Sequence, residues 1–227
     1  MQEKNIQIRE VIWDVSGTLW SDIEQVIYAN LKVLYDNGIL TVPRCRKEEE
    51  AGRKLDYSWI KNNLLGSAVE QFRSFGLTGD DHYLEGLYKK ALKFTSEEHP
   101  VYLFGGISNL LARLSENGIS QGVISSHPLN HLHNDFERLG IFDHFEYIEG
   151  SVHDKSDSIL KVAWRNSRLE DYGIVYVGDT MSDMVAANKA GVISLGVDWG
   201  YQNREKIQGG NPKKLFSSVS ELSDYLL

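Results

Sequence analysis

The stretch GIVYVGDTMSDMVAANKAGVISLGV, residues 173–197, gives the clearest indication of the fold class. It begins with a short apolar run and continues through a polar turn into a helix-type pattern. A glycine then precedes a second apolar run. We interpret these pieces as a strand, a helix and a second strand. Two strands joined through a helix lie parallel in one sheet, so the stretch indicates an α/β fold.

The same alternation extends back to Pro100. Helix patterns alternate with strand patterns in GGISNLLARLSENG (105–118), ISQGVIS (119–125), PLNHLHNDFERLG (128–140), HFEYIE (144–149) and KSDSILKVAWRNS (155–167). A further strand pattern at residues 9–14 needs sheet neighbours, and these occur only after residue 100. We therefore predict a parallel sheet that is covered by helices on both faces.

The region between the first strand and residue 98 shows helical patterns and no strand pattern. Apolar residues recur at helical spacing from Asp22 to Asn37, and Gly38 ends that pattern. Helical segments broken by prolines and glycines follow as far as residue 97. We predict an α/β domain of residues 1–20 and 98–227, with an all-helical domain, residues 21–97, inserted into it.

The composition excludes several functional classes. The chain has 227 residues, of which 41% are hydrophobic and 25% are charged, and its net charge is -8. A surface of that sign repels nucleic acid. No apolar run has the length of a membrane span or a signal peptide, and the single cysteine, Cys45, suits a reducing compartment. We expect a cytoplasmic protein, monomeric or homodimeric, with no nucleic-acid or membrane partner.

Polar residues lie where the predicted strands end, and open parallel sheets bind ligands at that edge. They are Asp14, Ser16, Gly17 and Thr18 after the first strand, Ser125 and Ser126 after the ISQGVI strand, Lys155 at a helix start, and Asp179 and Asp183 after the GIVYVG strand. Asp14 and Asp179 would repel each other unless a cation lies between them. Oxygen ligands favour Mg²⁺, which also binds phosphate oxygens. Hydroxyl, ammonium and backbone N–H groups suit the rest of a phosphate.

Four motifs in this order resemble those of the haloacid dehalogenase superfamily of aspartate-nucleophile phosphohydrolases. The motifs are VIWDVSGTLWSD (11–22), VISS (123–126), the lysine of HDKSDSIL (153–160) and VYVGDTMSDMVAANKAG (175–191). The following VISLGVDWGY (192–201) resembles phosphoglycolate-phosphatase-like members. The resemblance implies a Rossmann-like α/β core, and the helical insert is similar to the C1-type cap of that superfamily.

The resemblance also implies roles for individual residues and an activity. The catalytic residues would be Asp14, as the nucleophile that becomes aspartyl phosphate, with Ser16 and Lys155. The phosphate-binding residues would be Gly17, Thr18, Ser125, Ser126 and Lys155, and the ligands of Mg²⁺ would be Asp14, the carbonyl of Ser16, Asp179 and Asp183. The implied function is Mg²⁺-dependent hydrolysis of a small phosphorylated metabolite.

Ser16 departs from the pattern, because most phosphatases of this superfamily carry a second aspartate there. That aspartate protonates the leaving oxygen and later activates water. Two alternatives therefore stay open. One is hydrolysis of a C–P bond, as in phosphonoacetaldehyde hydrolases, with Lys54 as the Schiff-base amine. The other is a degenerate member that binds phosphate with little turnover.

Three further residues carry structural predictions. Trp13 lies in the apolar first strand, and Trp164 lies in the KSDSILKVAWRNS helix, so we expect both side chains in the core. Asp154 precedes that helix, and we interpret it as a helix cap.

Overall fold

The computed structural model describes residues 7–39, 68–152, 154–166 and 172–227. The strands and helices of this part are β1 (Gln7–Trp13), β2 (Trp20–Ser21), α1 (Ile23–Asp36), α2 (Ala68–Ser74), α3 (Asp81–Glu98), β3 (Tyr102–Leu103), α4 (Ile107–Glu116), β4 (Ser120–Ile124), α5 (Leu129–Leu139), β5 (Tyr147–Glu149), α6 (Lys155–Asn166), β6 (Tyr172–Gly178), α7 (Met181–Ala190), β7 (Ile193–Val197), α8 (Arg204–Gln208), β8 (Lys214–Phe216) and α9 (Val219–Leu226). Lys54, the amine of the C–P hydrolase hypothesis, lies outside the described residues.

The chain divides into two compact units, one made of Met1–Ser21 with Tyr102–Leu227 and the other of Asp22–Val101. The first unit contains a six-stranded sheet in the order β5-β4-β1-β6-β7-β8, and every neighbouring pair is parallel. β1 lies between β4 and β6, so its neighbours come from the part of the chain after residue 100. The predicted α/β fold is confirmed.

Alternate side chains of β1 face opposite sides of the sheet, and helices cover each side. On one side, Ile12 packs in a buried cluster with Tyr176 of β6, Ile159 of α6 and Ala187 of α7. This cluster is apolar except for the tyrosine hydroxyl, and its burial is the main stabilising contribution on this side of the sheet.

Trp13 lies on the other side of the sheet and is fully buried, as predicted. Its indole Nε1 donates to Gln121 Oε1 over 3.2 Å, and Gln121 Nε2 donates to the carbonyl of Leu111 in α4 over 2.9 Å. The indole N–H of Trp13 and the amide of Gln121 are therefore hydrogen-bonded, as burial requires.

The second unit has helices as its regular elements in residues 22–39 and 68–101. Helices α1, α2 and α3 share a buried cluster that includes Val33, Phe72 and Leu84. Helix α3 begins where Asp80 accepts a hydrogen bond from the Tyr83 N–H over 2.8 Å, a standard N-cap. Among the described helices of both units, none has the length and apolarity to cross a bilayer.

One core prediction is wrong. Trp164 is 76% exposed, because α6 buries Ile159 and Val162 against the sheet and Trp164 lies well round the helix from both. Asp154 does cap α6, since its Oδ1 accepts from the Ser156 N–H over 2.9 Å. The antiparallel pair of β2 with β3 and the 3₁₀ turn at Phe142–His144 were not predicted.

Candidate active site

Asp14 directly follows β1 and is 5% exposed. Its N–H donates to the Val177 carbonyl over 2.9 Å, so the backbone of Asp14 continues the pairing of β1 with β6. The chain then turns sharply, because the Thr18 and Leu19 N–H groups both donate to the Val15 carbonyl over 3.1 and 2.9 Å. Backbone hydrogen bonds at Asp14 and in the following turn therefore fix the position from which the Asp14 carboxylate projects at the sheet edge.

Asp179 follows β6 and is fully buried beside the turn after Asp14. Its Oδ2 accepts from the Tyr201 N–H over 2.6 Å, and its Oδ1 lies 3.4 Å from Thr18 Oγ1. A Cβ on Gly17 or on Gly200 would lie 2.2 Å from Asp179 Oδ2, and Gly17 also has a φ of +78°. Both positions therefore need glycine for the carboxylate to fit.

Asp183 lies in the first turn of α7 and forms a capping box with Thr180. Its Oδ2 accepts from the Thr180 N–H over 3.1 Å and from Thr180 Oγ1 over 2.5 Å. The carboxylate is 1% exposed, and this cap fixes where it lies relative to the helix start.

Lys155, the first residue of α6, connects these acids. Its Nζ lies 2.8 Å from Asp14 Oδ1 and 2.7 Å from Asp183 Oδ1. The Lys155 side chain is 17% exposed, so both contacts lie in a region where water screens charge weakly. The structure thus brings together residues from the first, third and fourth motifs.

The residues present fit a divalent cation. Carboxylate oxygens of Asp14, Asp179 and Asp183 all lie within 4.8 Å of one another. One ammonium among three carboxylates leaves two negative charges, which one divalent cation would balance. The donor set contains only oxygen, the ligand atom that Mg²⁺ prefers. The glycines at positions 17 and 200 keep side chains away from Asp179.

Burial dominates the electrostatics of the cluster. It raises the pKa of Asp14 to about 6, with the charge of Asp183 acting in the same direction and that of Lys155 opposing it. Burial also raises the pKa of Asp179 well above its ordinary value. The pKa of Lys155 is raised above its usual range, because the attraction of Asp14 and Asp183 outweighs the effect of burial. The cluster therefore favours the charged form of Lys155 and disfavours the charged forms of Asp14 and Asp179.

The predicted phosphate-binding serines differ in exposure. Ser125 follows β4, the neighbour of β1, and its buried Oγ accepts from the His127 N–H over 3.2 Å. Ser126 is exposed. Ser16 is half-buried and forms a backbone bridge with Trp20. All three lie at the edge that carries Asp14.

Sequence reasoning missed Tyr176, Gly200 and Tyr201. Gly200 and Tyr201 belong to VISLGVDWGY, a pattern that indicates only a family resemblance. Their proximity to Asp179 depends on how the loop after β7 folds back. Tyr176 lies in an apolar strand. The tyrosine hydroxyl in this strand is the sequence feature that could have identified Tyr176, because a buried hydroxyl needs a hydrogen-bond partner.

Comparison with known proteins agrees with this architecture. The profile of the haloacid dehalogenase-like hydrolase family matches residues 11–197. A phosphoglycolate phosphatase of Vibrio vulnificus is 22% identical over 231 residues, which cover 97% of each chain. A phosphoglycolate phosphatase of Synechococcus elongatus is 26% identical over 122 residues, which cover 53% of this chain and 57% of that relative.

Solved structures share the fold. One, described as a predicted phosphatase from Clostridium acetobutylicum, superposes with a TM-score of 0.76 at 19% identity, covering 97% of this chain and 98% of the other. The resemblance inferred from the four motifs is confirmed by the family match. This chain belongs to the haloacid dehalogenase-like hydrolases.

Proposed function

We propose that this protein is a Mg²⁺-dependent phosphohydrolase that acts on a small phosphorylated metabolite through an aspartyl-phosphate intermediate. The observation that carries the proposal is the contact of Lys155 Nζ with both Asp14 and Asp183, with Asp179 in the same carboxylate cluster. Relatives named as phosphoglycolate phosphatases support the phosphatase chemistry.

Asp14 would act as the nucleophile. One carboxylate oxygen attacks phosphorus, the bond from phosphorus to the leaving oxygen breaks, and an acyl phosphate forms on Asp14. Water then attacks the phosphorus of this intermediate, which releases inorganic phosphate and restores the carboxylate. Lys155 would neutralise Asp14 and the incoming phosphate in both steps, because its ammonium already lies 2.8 Å from Asp14 Oδ1.

Mg²⁺ would be held by Asp14, Asp179, Asp183 and the carbonyl of Ser16. When bound, it would supply positive charge to the phosphoryl oxygens. The buried Oγ of Ser125, the Thr18 hydroxyl and the backbone of the Gly17 turn would bind the remaining oxygens, with Ser126 at the exposed end. Residues 21–97, the helical insertion, would form the cap domain that selects the substrate.

Ser16 would limit the chemistry. An alcohol hydroxyl does not ionise near neutral pH, so Ser16 cannot act as the acid or base that an aspartate supplies. We expect good leaving groups to react fastest. Acyl and aryl phosphates have leaving oxygens that depart without a proton, whereas alkyl phosphates need one.

A substrate panel tests the proposal. Acyl, aryl and alkyl phosphates, including 2-phosphoglycolate, are assayed together with phosphonates in Mg²⁺ and in EDTA. We expect turnover only with the metal, and a larger loss in Asp179→Asn than in Asp183→Asn because Asp179 follows its strand directly. Full activity in EDTA would overturn the metal assignment.

Two other outcomes would favour the alternatives. Phosphate binding without turnover of any ester would favour the degenerate member. Cleavage of phosphonoacetaldehyde with borohydride trapping would favour the C–P hydrolase and Lys54.

A further inference from the structure

Tyr176 places a hydroxyl group beneath the carboxylate cluster. Its ring is fully buried in the apolar cluster between the sheet and helices α6 and α7. Its hydroxyl oxygen lies 3.3 Å from Asp183 Oδ1 and 3.3 Å from the carbonyl of Ile124, the last residue of β4. Phenylalanine would fill the same ring space, so the packing of the core alone does not call for the hydroxyl.

The Tyr176 hydroxyl is a neutral donor. A phenolic hydroxyl carries one proton to donate at neutral pH. One O–H group has two acceptors within reach, a peptide carbonyl and a carboxylate. Hydrogen bonds to ionised acceptors are stronger than those to neutral ones, so Asp183 is the preferred partner.

Asp183 is held from both of its oxygens. Thr180 donates to Oδ2, while Lys155 and Tyr176 donate to Oδ1. The same Lys155 ammonium contacts Asp14. A continuous path of hydrogen bonds therefore connects the Tyr176 hydroxyl, Asp183, Lys155 and the carboxylate of Asp14.

The two donors to Asp183 Oδ1 differ in freedom. Lys155 reaches the carboxylate through four side-chain torsions, whereas the Tyr176 ring is fixed by packing and has two. A rigid donor restricts the carboxylate and, through it, the flexible ammonium. We propose that Tyr176 is a positioning residue of this site, whose hydroxyl holds Asp183, and through it Lys155, in the arrangement that metal binding and phosphoryl transfer require. This inference rests on the function proposed above.

The primary test removes only the oxygen. In Tyr176→Phe we expect the affinity for Mn²⁺, measured by electron paramagnetic resonance on protein without substrate, to fall about 10- to 100-fold, the range for partners of metal ligands. We expect kcat to fall while KM for an aryl phosphate changes little. The matched control is Tyr147→Phe, which removes the hydroxyl that donates to Glu10 over 2.8 Å. It should lower the melting temperature and leave Mn²⁺ affinity and kcat unchanged.

A double-mutant cycle tests whether Tyr176 acts through Asp183. In the Asp183→Asn background, Tyr176→Phe should cost much less Mn²⁺ affinity than in the native background, because coupled residues are non-additive. Equal losses in both backgrounds would overturn the inference. So would a Tyr176→Phe variant that loses thermal stability and keeps its Mn²⁺ affinity and kcat.

A label keeps the inference testable if Tyr176→Phe does not fold. 3-Fluorotyrosine placed at position 176 alone should show a ¹⁹F shift on Mg²⁺ addition and on Asp183→Asn, and the same label at position 147 should show neither. A label at 176 that is insensitive to both would overturn the inference. Native protein that neither binds Mn²⁺ nor turns over any phosphate would instead refute the proposed function, and this inference with it.

Discussion

Strand β1 contains the buried acid Glu10, and the buried acid Asp14 directly follows the strand; the surroundings of the two acids differ. Glu10 is 2% exposed and accepts one hydrogen bond from the Tyr147 hydroxyl over 2.8 Å, with Arg165 lying 5.1 Å above the tyrosine ring. Asp14 is 5% exposed and belongs to a cluster of three carboxylates and one lysine. Burial raises the pKa of both acids. The candidate site therefore differs from the surroundings of Glu10 in the number of charged groups that lie close together.

Glycines near Glu10 and in the carboxylate cluster show the same difference between the two regions. A Cβ on Gly122 would lie 2.0 Å from the ring of Tyr147, so that glycine makes room for the partner of Glu10. Gly17 and Gly200 instead make room for the carboxylate of Asp179. Around Glu10 the space accommodates an aromatic ring, whereas around Asp179 it is needed by the charged group itself.

Replacing each acid with its amide should produce the largest difference between the two acids. Asp14→Asn should lower kcat by at least about 10⁴-fold, the scale of losing a nucleophile, because an amide keeps the shape and does not attack phosphorus. Glu10→Gln should retain kcat. Steady-state assays with an aryl phosphate measure both, and circular dichroism verifies folding. An Asp14→Asn protein with most of its activity would contradict the nucleophile assignment.

Adding a carboxylate at position 16 should increase the activity of the candidate site, whereas replacing Asp14 should abolish it. Ser16→Asp should raise turnover of alkyl phosphates by about 10²- to 10⁴-fold, the usual contribution of a positioned acid or base. Native protein should accumulate phosphoenzyme and give a burst with an acyl phosphate, and the variant should not. Rapid-quench measurements follow both.

A Ser16→Asp variant that folds and binds metal but does not turn over alkyl phosphates faster would contradict this expectation. Another group would then supply the proton, and Ser16 would not be what limits alkyl phosphates. Ser16→Ala serves as the control, because it also removes the hydroxyl and adds no acid.

Crowding the two regions with a methyl group should separate metal binding from stability. Gly200→Ala puts a Cβ 2.2 Å from Asp179 Oδ2, and we expect Mn²⁺ affinity to fall about 10- to 100-fold. Gly122→Ala should displace Tyr147 and cost about 1–3 kcal/mol of unfolding free energy without changing that affinity. Titration calorimetry and chemical denaturation give the two quantities, and equal affinities in the two variants would contradict the expectation.

The smallest expected effect concerns the pH dependence of stability. Burial raises the pKa of Glu10 above its ordinary value of 4.5, while the hydrogen bond from Tyr147 and the charge of Arg165 oppose the rise. The folded state binds the proton of Glu10 more tightly than the unfolded state does. The stabilisation that protonated Glu10 contributes is therefore complete below about pH 4.5 and is lost as pH rises through the folded-state pKa. Glu10→Gln should therefore unfold a few degrees higher than native protein at neutral pH, and the difference should narrow in acid. Thermal unfolding as a function of pH tests this.

The sequence predicts most of what depends on strand ends. Asp14, Ser125 and Asp179 follow β1, β4 and β6, and adjacent parallel strands bring their ends to one edge. Apolar periodicity locates the helices, yet it misassigned Trp164, because an apolar residue on a helix does not reveal which side of the helix meets the sheet. The interactions of Tyr176 and Tyr147 depend on register and ring orientation across strands, which local pattern does not encode.

The capping box at the start of α7 has a consequence for how this site can vary. The carboxylate of Asp183 caps the N-terminus of helix α7 and also contacts Lys155. Glutamate would add a methylene, which at a rise of about 1.5 Å per helical residue is comparable to sliding α7 by one position. Either the cap or the lysine contact would then be lost. The helix start and the charged cluster are thus tied to a single side-chain length, and an insertion or deletion between Asp179 and Asp183 would disrupt both at once.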